Sequence, residues 1–454
     1  MEINTGNTAW LLLSSALVLL MTPGLALFYG GLNRSKGALN MMMMSFSSIG
    51  LISIMWALYG FTLSFGTNSS SFLNNFIGSF SQYFGSGTSW IGEEWLVAGA
   101  GTGIPAYVFM VFQMMFAIIT VALISGALSD RLKFGGWVLF ALGWFTLVYV
   151  PVAHMVWGGG LIGAKIGALD FAGGTAVHIN AGAAALAVAL VLGKRIGWPR
   201  ENMRPHNVPF VALGAGLLWF GWFGFNAGSE LTVDSVTAFA FVNTQLATAA
   251  ALVGWCLIEW LRDGKPTLVG ASSGAVAGLV AITPACGFIA PLPAVLLGLI
   301  AGAVCALAVG LKYRFGYDDS LDVVGVHFVG GWIGSLFIGF FATTQVNAVA
   351  TRESLFYGGG LDQLWRQFLG SAIVTVYSFG IAALLALALK AVKVFRVDSD
   401  AEVGGIDIAD HGETAYDLVP AGGSGGGGAF AMAGIAPPSV DADGKASVSE
   451  KVAG

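Results

Sequence analysis

The sequence carries few charged residues for its length. Asp, Glu, Lys and Arg make up 10% of its 454 residues, whereas 56% are hydrophobic and the mean hydropathy is +0.78. A soluble domain has about 25% charged residues. A chain this long with so little charge could not cover its surface with polar groups in water. The composition therefore excludes a soluble globular protein and predicts one that is solvated by a lipid bilayer.

Cysteine is also scarce. Cys256, Cys286 and Cys305 lie in or beside apolar stretches without metal-ligand spacing, so we interpret them as core residues and expect no disulfide framework. No basic region precedes the first apolar segment, which argues against a cleaved signal peptide and predicts a retained membrane span. The sequence shows no nucleophile–base set and no metal-ligand cluster, so it predicts neither an enzyme nor a metal site nor a cofactor.

Long apolar segments dominate the chain instead. A membrane helix needs roughly 20 mostly apolar residues. Eleven segments fit this requirement, at residues 8–31, 39–65, 103–129, 134–152, 175–192, 208–228, 235–261, 268–284, 292–311, 323–343 and 364–394. The sequence therefore predicts an all-α polytopic membrane protein with eleven transmembrane helices.

Basic residues follow every second segment. Those after the odd-numbered segments are Arg34, Lys36, Arg131, Lys133, Lys194, Arg195, Arg200, Arg204, Arg262, Lys265, Lys312, Arg314, Lys390, Lys393 and Arg396. The other connections carry only Lys165 and Arg352. Because basic loops face the cytoplasm, this asymmetry predicts an external N-terminus and a cytoplasmic C-terminus.

The composition changes after Arg396, where Asp, Glu and Gly replace the apolar runs. We interpret residues 1–396 as a transmembrane domain and residues 397–420 as a cytoplasmic regulatory segment. Residues 421–454 are rich in glycine and read as a flexible tail without a packed core.

A repeat is visible in the polar residues of two segments. The fifth opens with DFAGGTAVH, from Asp170 to His178, and the tenth with DSLDVVGVH, from Asp319 to His327. Five segments precede the basic loop at 194–206 and five follow it, with one more at the end. An odd number of spans per half inserts the halves in opposite orientations, which predicts a 5+5 inverted repeat whose site lies near the bilayer midplane.

The paired histidines are the first candidate site residues. A lone histidine in an apolar helix is most simply a hydrogen-bonded core residue, but His178 and His327 occupy equivalent places in two repeats, which favours a functional role. Asp170 and Asp319 precede their helices, where a carboxylate caps free N–H groups. A direct cation-binding role for Asp170 stays open as an alternative.

Three aromatic residues lie near the external ends of segments, within glycine-rich or polar sequence. They are Phe116, Trp157 and Phe225. An aromatic residue at a span end is commonly an interface anchor. Here each ring could instead meet a bound cation.

Several strings resemble the ammonium transporter family, which includes methylammonium permeases and, more distantly, Rhesus glycoproteins. They include TPGLALFYGG, AHMVWGGG, ALDFAGGTAVHINAG, GWFGFNAGS and DVVGVHFVGG. The resemblance covers about residues 8–417 and favours the bacterial and plant branch. It implies an outer recruitment site formed by Trp157, Phe112 and Ser229 and supported by Asp170. It also implies a gate of Phe116 and Phe225, pore histidines His178 and His327, and neighbouring pore positions at Trp222 and Ser273.

These residue types suit ammonium. A serine hydroxyl can accept one of its N–H groups, and an indole supplies a cation–π contact of ~2 kcal/mol when partly desolvated. In an apolar lumen an unpaired cation costs several kcal/mol or more, so losing a proton becomes easier than carrying the charge. Potassium has no proton to lose, and two neutral imidazoles could orient ammonia and relay the removed proton.

Two other functions are kept as alternatives. One is an ammonium sensor whose tail signals to a partner, and the other is a channel for another neutral gas, which would need neither Trp157 nor Ser229. The resemblance also implies a homotrimer in the plasma membrane, ammonium or methylammonium as the ligand, and a PII-type nitrogen-signalling protein as a possible partner at the cytoplasmic face. No nucleic acid is expected.

Overall fold

The computed structural model describes residues 3–80 and 102–416, and these residues form helices and loops without a β-strand. The main helices are α1 (Thr5–Leu32), α2 (Ser35–Phe65), α3 (Ala106–Ala127), α4 (Phe134–Ile166), α5 (Gly174–Leu192), α6 (Val208–Glu230), α7 (Ser235–Asp263), α8 (Leu268–Ile282), α9 (Pro291–Phe315), α10 (Val324–Phe341) and α11 (Asp362–Ala391). Two short helices, α12 (Ser399–Gly404) and α13 (Ile406–His411), follow. The predicted tail at 421–454 lies outside the described residues.

The predicted all-helical membrane architecture is confirmed. Ten of these helices are long and apolar enough to cross a membrane, and the eleventh expected segment is the shorter α8, with 15 residues. Helix α4 extends to Ile166, beyond the expected end of this segment at residue 152, and is interrupted by a turn at residues 157–160. The interruption matters because Trp157 lies in that turn.

Helices α5 and α10 share an unusual construction. Each begins with a π-helical turn, at Gly174–Ile179 and Val324–Phe328, and continues as a 13-residue α-helix. His178 and His327 are each the penultimate residue of their π-turn. Single π-turns inside α-helices are frequent at functional sites. The shared local distortion supports the predicted relation between the two halves.

Helix α6 packs closely against α1. A side chain at Gly214 would place its Cβ atom 2.3 Å from the main-chain nitrogen of Phe28, so only glycine permits this approach. Small residues at such crossings let membrane helices pack through their backbones. Helix α6 carries Trp222, Phe225 and Ser229.

Connections that follow the odd-numbered segments meet in one buried charged cluster. Arg195 forms ion pairs with Asp318 at 2.9 Å and with Asp130 at 3.4 Å, and Arg34 pairs with Asp130 at 2.8 Å. Arg131 lies 3.8 Å from Asp318. Burial alone would raise the pKa of Asp318, but Arg195 and Arg131 lower it below its usual value. Burial also lowers the pKa of the Arg131 guanidinium to about 10.

The segment after α11 lies on the same face as this cluster. The Asp407 carboxylate accepts hydrogen bonds from the main-chain N–H groups of Leu39, at 3.0 Å, and Asn40, at 2.8 Å. The Asp410 carboxylate accepts one from the N–H of Phe134 at 2.7 Å. These two carboxylates cap the first turns of α2 and α4, so the segment is joined to the membrane helices through their N-termini.

The basic loop at 194–206 also contacts the segment after α11. Ile196 donates its main-chain N–H to Glu402 at 2.6 Å, and the Tyr416 hydroxyl bonds to His206 at 3.0 Å. Arg195 binds Asp318 rather than a carboxylate of the tail. Backbone and hydroxyl contacts, more than paired charges, thus join loop and tail.

Candidate functional site

The two histidines of the repeat contact each other in the interior. The Nδ1 atoms of His178 and His327 are 3.2 Å apart, and the ring centroids are 5.3 Å apart with 23° between the planes. Both side chains are buried, with 1% and 3% of their surface exposed. In a neutral pair one Nδ1 must donate while the other accepts, so the two rings adopt different tautomers.

The helix caps explain how each ring is held. The Asp170 carboxylate accepts hydrogen bonds from the main-chain N–H groups of Gly173, Gly174, Thr175 and Ala176, at 2.7–2.9 Å. The Asp319 carboxylate accepts bonds from Val323 and Val324 at 3.1 and 2.7 Å. Burial raises the pKa of Asp170, and its four N–H donors act in the opposite direction. Both aspartates therefore occupy the capping positions that their spacing suggests.

Two phenylalanine rings lie against the histidine pair. Phe116 and Phe225 stack with their centroids 4.1 Å apart and 25° between their planes. The Phe225 ring is 6.2 Å from His178. Both phenylalanines are buried, at 1% and 0% exposed. Phe225 is therefore the ring of the stack that adjoins His178, and Phe116 lies on its far side.

Trp157 lies on the other side of the stack. Its ring is perpendicular to Phe116 at 6.1 Å, and its indole N–H donates to the carbonyl oxygen of Asp170 at 3.0 Å. Phe112 contacts Phe116 with a centroid distance of 4.9 Å. Trp157 is only partly buried.

Ser229 lies at the end of α6, next to the residue on which Phe112 packs. A Cβ atom at Gly228 would lie 3.0 Å from the Phe112 ring. The Ser229 hydroxyl donates to the carbonyl oxygen of Phe225 at 2.7 Å, which leaves its oxygen lone pairs as acceptors. Phe112 therefore packs against both Phe116 and the end of α6, which carries Ser229, and Trp157 contacts the same Phe116 ring.

A small cavity lies beside the histidines. Its volume of about 10 Å³ holds about one molecule of the size of water. Nine of its twelve lining residues are apolar, and the lining comprises Met21, Leu25, Phe28, Ile119, Leu123, Val177, His178, Leu218, Trp222, Phe225, Val276 and His327. Ser273 is buried on α8, three residues before Val276, and does not line this cavity.

The position of Trp222 depends on polar residues that the sequence analysis did not identify. Its ring stacks on His178 at 5.4 Å, and its indole N–H donates to the Thr283 hydroxyl at 2.8 Å. The Thr283 hydroxyl also lies 3.2 Å from the Asn226 side-chain oxygen, and the Asn226 amide donates to Thr244 at 2.9 Å. Polar residues inside apolar segments were the signal that could have revealed this network.

Among residues 3–80 and 102–416, no group of three or more His, Cys, Asp or Glu side chains could hold a metal ion. The three cysteines are free.

Comparison with known proteins gives a consistent result over nearly the whole chain. The model of the Ammonium Transporter Family matches residues 9–416. An ammonium transporter of Mycobacterium bovis is 55% identical over 443 residues, with 92% of each chain covered. One of Bacillus subtilis is 47% identical over 418 residues, which cover 90% of this chain and 98% of the relative.

Solved structures show the same similarity. Saccharomyces cerevisiae Mep2 superposes with a TM-score of 0.78 at 35% identity, over 88% of this chain and 91% of Mep2. A protein described as a sensor Amt protein superposes with a TM-score of 0.80 at 30% identity, over 89% of this chain and 98% of that chain.

Proposed function

The chain belongs to the ammonium transporter family, and on this premise we propose that it recruits ammonium at an external site, removes a proton and conducts ammonia through an apolar pore. The external site comprises Trp157, Phe112 and Ser229. Phe116 and Phe225 form the gate, and His178 and His327 line the pore below it, with Trp222 beside them. Ser273 is a further pore position near the cytoplasmic end.

The observation that carries this proposal is the order of the groups. An indole and a serine lie on one side of the stacked phenylalanines, and a small apolar cavity with two contacting imidazoles lies on the other. A cation held by Trp157 gains ~2 kcal/mol from the ring when partly desolvated. The same cation would lose several kcal/mol or more in the cavity, whereas neutral ammonia would not.

The contacting imidazoles supply the polar groups that a dry cavity otherwise lacks. The Nε2 atom of His178 is buried and has no hydrogen-bond partner within the described part of the chain. It is therefore available to donate to ammonia or to accept from it, depending on the tautomer. The Nδ1–Nδ1 contact offers a route by which a proton could pass between the rings.

The proposal includes the setting of the protein. The proposed topology has the N-terminus outside and the C-terminus inside the plasma membrane, with eleven crossing helices, and the distribution of basic connections supports it. The proposed assembly is a homotrimer with one pore per subunit, as the family resemblance implies, and closed cyclic symmetry of this kind is usual for oligomers. The cytoplasmic face, with the segment 397–416, is the surface at which a PII-type signalling protein would bind.

The external site is tested by uptake of radiolabelled methylammonium in cells that lack their own ammonium transporters. Trp157→Leu should raise the KM for uptake by about 30-fold, the loss expected when a cation–π contact of about 2 kcal/mol is removed. Trp260→Leu is the matched control, because Trp260 is 65% exposed on the outer surface of α7. Equal KM values for the two variants would contradict the proposed site.

The same assay separates the two alternatives. Normal uptake by the wild-type chain opposes a sensor in which transport is secondary. A channel for a linear neutral gas would be insensitive to both Trp157→Leu and Ser229→Ala, because such a gas offers neither a charge nor an N–H donor.

A further inference from the structure

The last membrane helix, α11, belongs to neither half of the repeat, yet it carries a fully paired buried amide. Gln367 is 1% exposed. Its side-chain oxygen accepts hydrogen bonds from the main-chain N–H of Leu169, at 2.6 Å, and from the Gln363 amide, at 2.9 Å. Its side-chain nitrogen donates to the carbonyl oxygen of Leu169, at 2.8 Å, and to that of Ser335, at 3.2 Å. Both donors and both acceptor positions of the amide are therefore used.

Leu169 is thus gripped through its N–H and its carbonyl group by one side chain. Two neighbours on α11 hold the residues just before it: Gln363 donates to the Gly167 carbonyl oxygen at 3.3 Å, and Arg366 donates to that of Ile166. The connection between α4 and α5 therefore lies along α11 and is held there by hydrogen bonds from α11 side chains. A connection held in this way has little freedom to shift.

Asp170, the next residue of this connection, contacts both Trp157 and the first turn of the helix that bears His178. The carbonyl oxygen of Asp170 accepts the Trp157 indole N–H, and its carboxylate caps the helix that bears His178. A displacement of Leu169 would move Asp170, and with it the orientation of the indole and the first turn of α5. None of the five hydrogen bonds of Gln367, the weakest being to the Ser335 hydroxyl at 3.3 Å, reaches Trp157 or His178, and the pair of bonds to Leu169 is its direct link to Asp170.

We propose that Gln367 is a positioning residue for the external ammonium site and that α11 serves as its support. The inference rests on the proposed function, because it assumes that Trp157 and Asp170 form the recruitment site. The amide is suited to this task since it pairs with a peptide group as another peptide group would. A carboxylate in its place could accept from Leu169 but could not donate, and an aliphatic side chain could do neither.

The test is transport by the full-length protein in liposomes, with KM and maximal rate measured separately for ammonium. Gln367→Leu should raise the KM about tenfold and leave the maximal rate within about twofold of wild type. A misplacement of 1 Å can cost about 100-fold, and we expect a smaller shift here. Tyr377→Phe is the matched control. Tyr377 lies on the same helix, and the variant removes the 2.7 Å hydrogen bond from its hydroxyl to the Leu147 carbonyl oxygen. The KM should stay unchanged.

The double variant Gln367→Leu with Trp157→Leu decides whether the two residues act together. We expect its KM to match that of Trp157→Leu alone, because the contact that Gln367 supports is already absent. Independent, multiplying effects on KM would overturn the inference. A wild-type KM for Gln367→Leu, beside a raised KM for Trp157→Leu, would overturn it while the proposed function stands. No effect of Trp157→Leu would overturn both.

A milder variant covers the case in which Gln367→Leu fails to fold. Gln363→Leu removes the bonds to Gln367 and to Gly167 but keeps both bonds between Gln367 and Leu169. It should fold and raise the KM by a smaller factor than Trp157→Leu does. A folded Gln363→Leu protein with a wild-type KM would then overturn the inference.

Discussion

The contact between His178 and His327 joins the two halves of the chain at one pair of nitrogen atoms. Each ring lies in a cavity whose other walls are mostly carbon, so each is the main polar neighbour of the other. The Trp222 ring covers one face of His178 and is itself fixed by Thr283. The polar character of the cavity thus depends on the contact between the two histidines and on the hydrogen bond from Trp222 to Thr283.

The first prediction concerns the histidine pair. Replacement of His178 or His327 by Leu should lower ammonium flux by about 100-fold or abolish its selectivity over potassium, because a positioned proton acceptor contributes on this scale. The measurement is ammonium and potassium flux in liposomes that contain each variant. Thr248→Val is a control, since this buried hydroxyl only donates to the Thr244 carbonyl oxygen at 2.6 Å. Wild-type flux and selectivity in both histidine variants would contradict the account.

The second prediction concerns Thr283. Thr283→Val removes the acceptor of the Trp222 indole and leaves a buried N–H unpaired, which costs about 1–3 kcal/mol. We expect a lower thermal stability and a several-fold lower ammonium flux, measured in detergent and in liposomes. Thr283→Ser keeps the hydroxyl and should restore both. If the valine and serine variants behave alike, the hydroxyl does not position Trp222.

At the level of helices and loops, the buried charged cluster joins connections that are far apart in sequence. Asp318 lies between α9 and α10 with a fully buried side chain, and it is shared by Arg195 and Arg131. Because Arg195 and Arg131 hold the pKa of Asp318 below its usual value, its contribution to stability is present above the unfolded pKa of about 3.9. The contribution is lost as the pH falls through the lower, folded-state pKa.

The third prediction compares this aspartate with an exposed one. Asp318→Asn leaves the buried Arg131 without its carboxylate partner and Arg195 with only Asp130, and it should destabilise the protein by about 3–5 kcal/mol at neutral pH. Asp362→Asn breaks ion pairs in which the side chain is 50% exposed, and it should change stability by less than about 1 kcal/mol. Thermal unfolding in detergent measures both. Equal unfolding temperatures would show that the cluster contributes no stability.

Much of the element-level description follows from sequence, and the reasons are physical. The apolar lengths locate the helices, and the aspartate-to-histidine spacing predicts the caps, because a capping carboxylate is a local interaction. The break of α4 at 157–160 and the grip of Gln367 on Leu169 could not be predicted. The break in α4 depends on glycines, and glycines in a membrane segment are equally typical of a helix crossing. The hydrogen bonds between Gln367 and Leu169 join residues that are 198 positions apart.

At the scale of the whole molecule, the segment after α11 is held against the membrane helices by hydrogen bonds. The caps that Asp407 and Asp410 provide for α2 and α4 link it to the helices of the first half. The Asp407 carboxyl has a raised pKa because of burial, which the N–H donors of Asn40 and Leu39 oppose. The segment therefore interacts with the membrane helices through defined hydrogen bonds, and its removal should affect those helices.

The fourth prediction follows from these caps. Deletion of the chain beyond Phe395 should lower ammonium uptake while the pore remains folded, because α2 and α4 lose their N-terminal partners. Uptake and size-exclusion chromatography measure the two properties. A variant that ends at Tyr416 retains every tail contact described above and should transport normally. Full activity of the shorter protein, together with an unchanged response to a PII-type protein, would show that the segment is idle.

The central claim is that the pore admits nitrogen as ammonia and rejects a cation of similar size. Purified wild-type protein in liposomes, given ammonium and potassium gradients in turn with current recorded, tests it most directly. The account predicts rapid ammonium-dependent transport, with or without current, and no flux or current above that of empty liposomes when potassium is the only permeant cation. Potassium flux comparable to that of ammonium would contradict it.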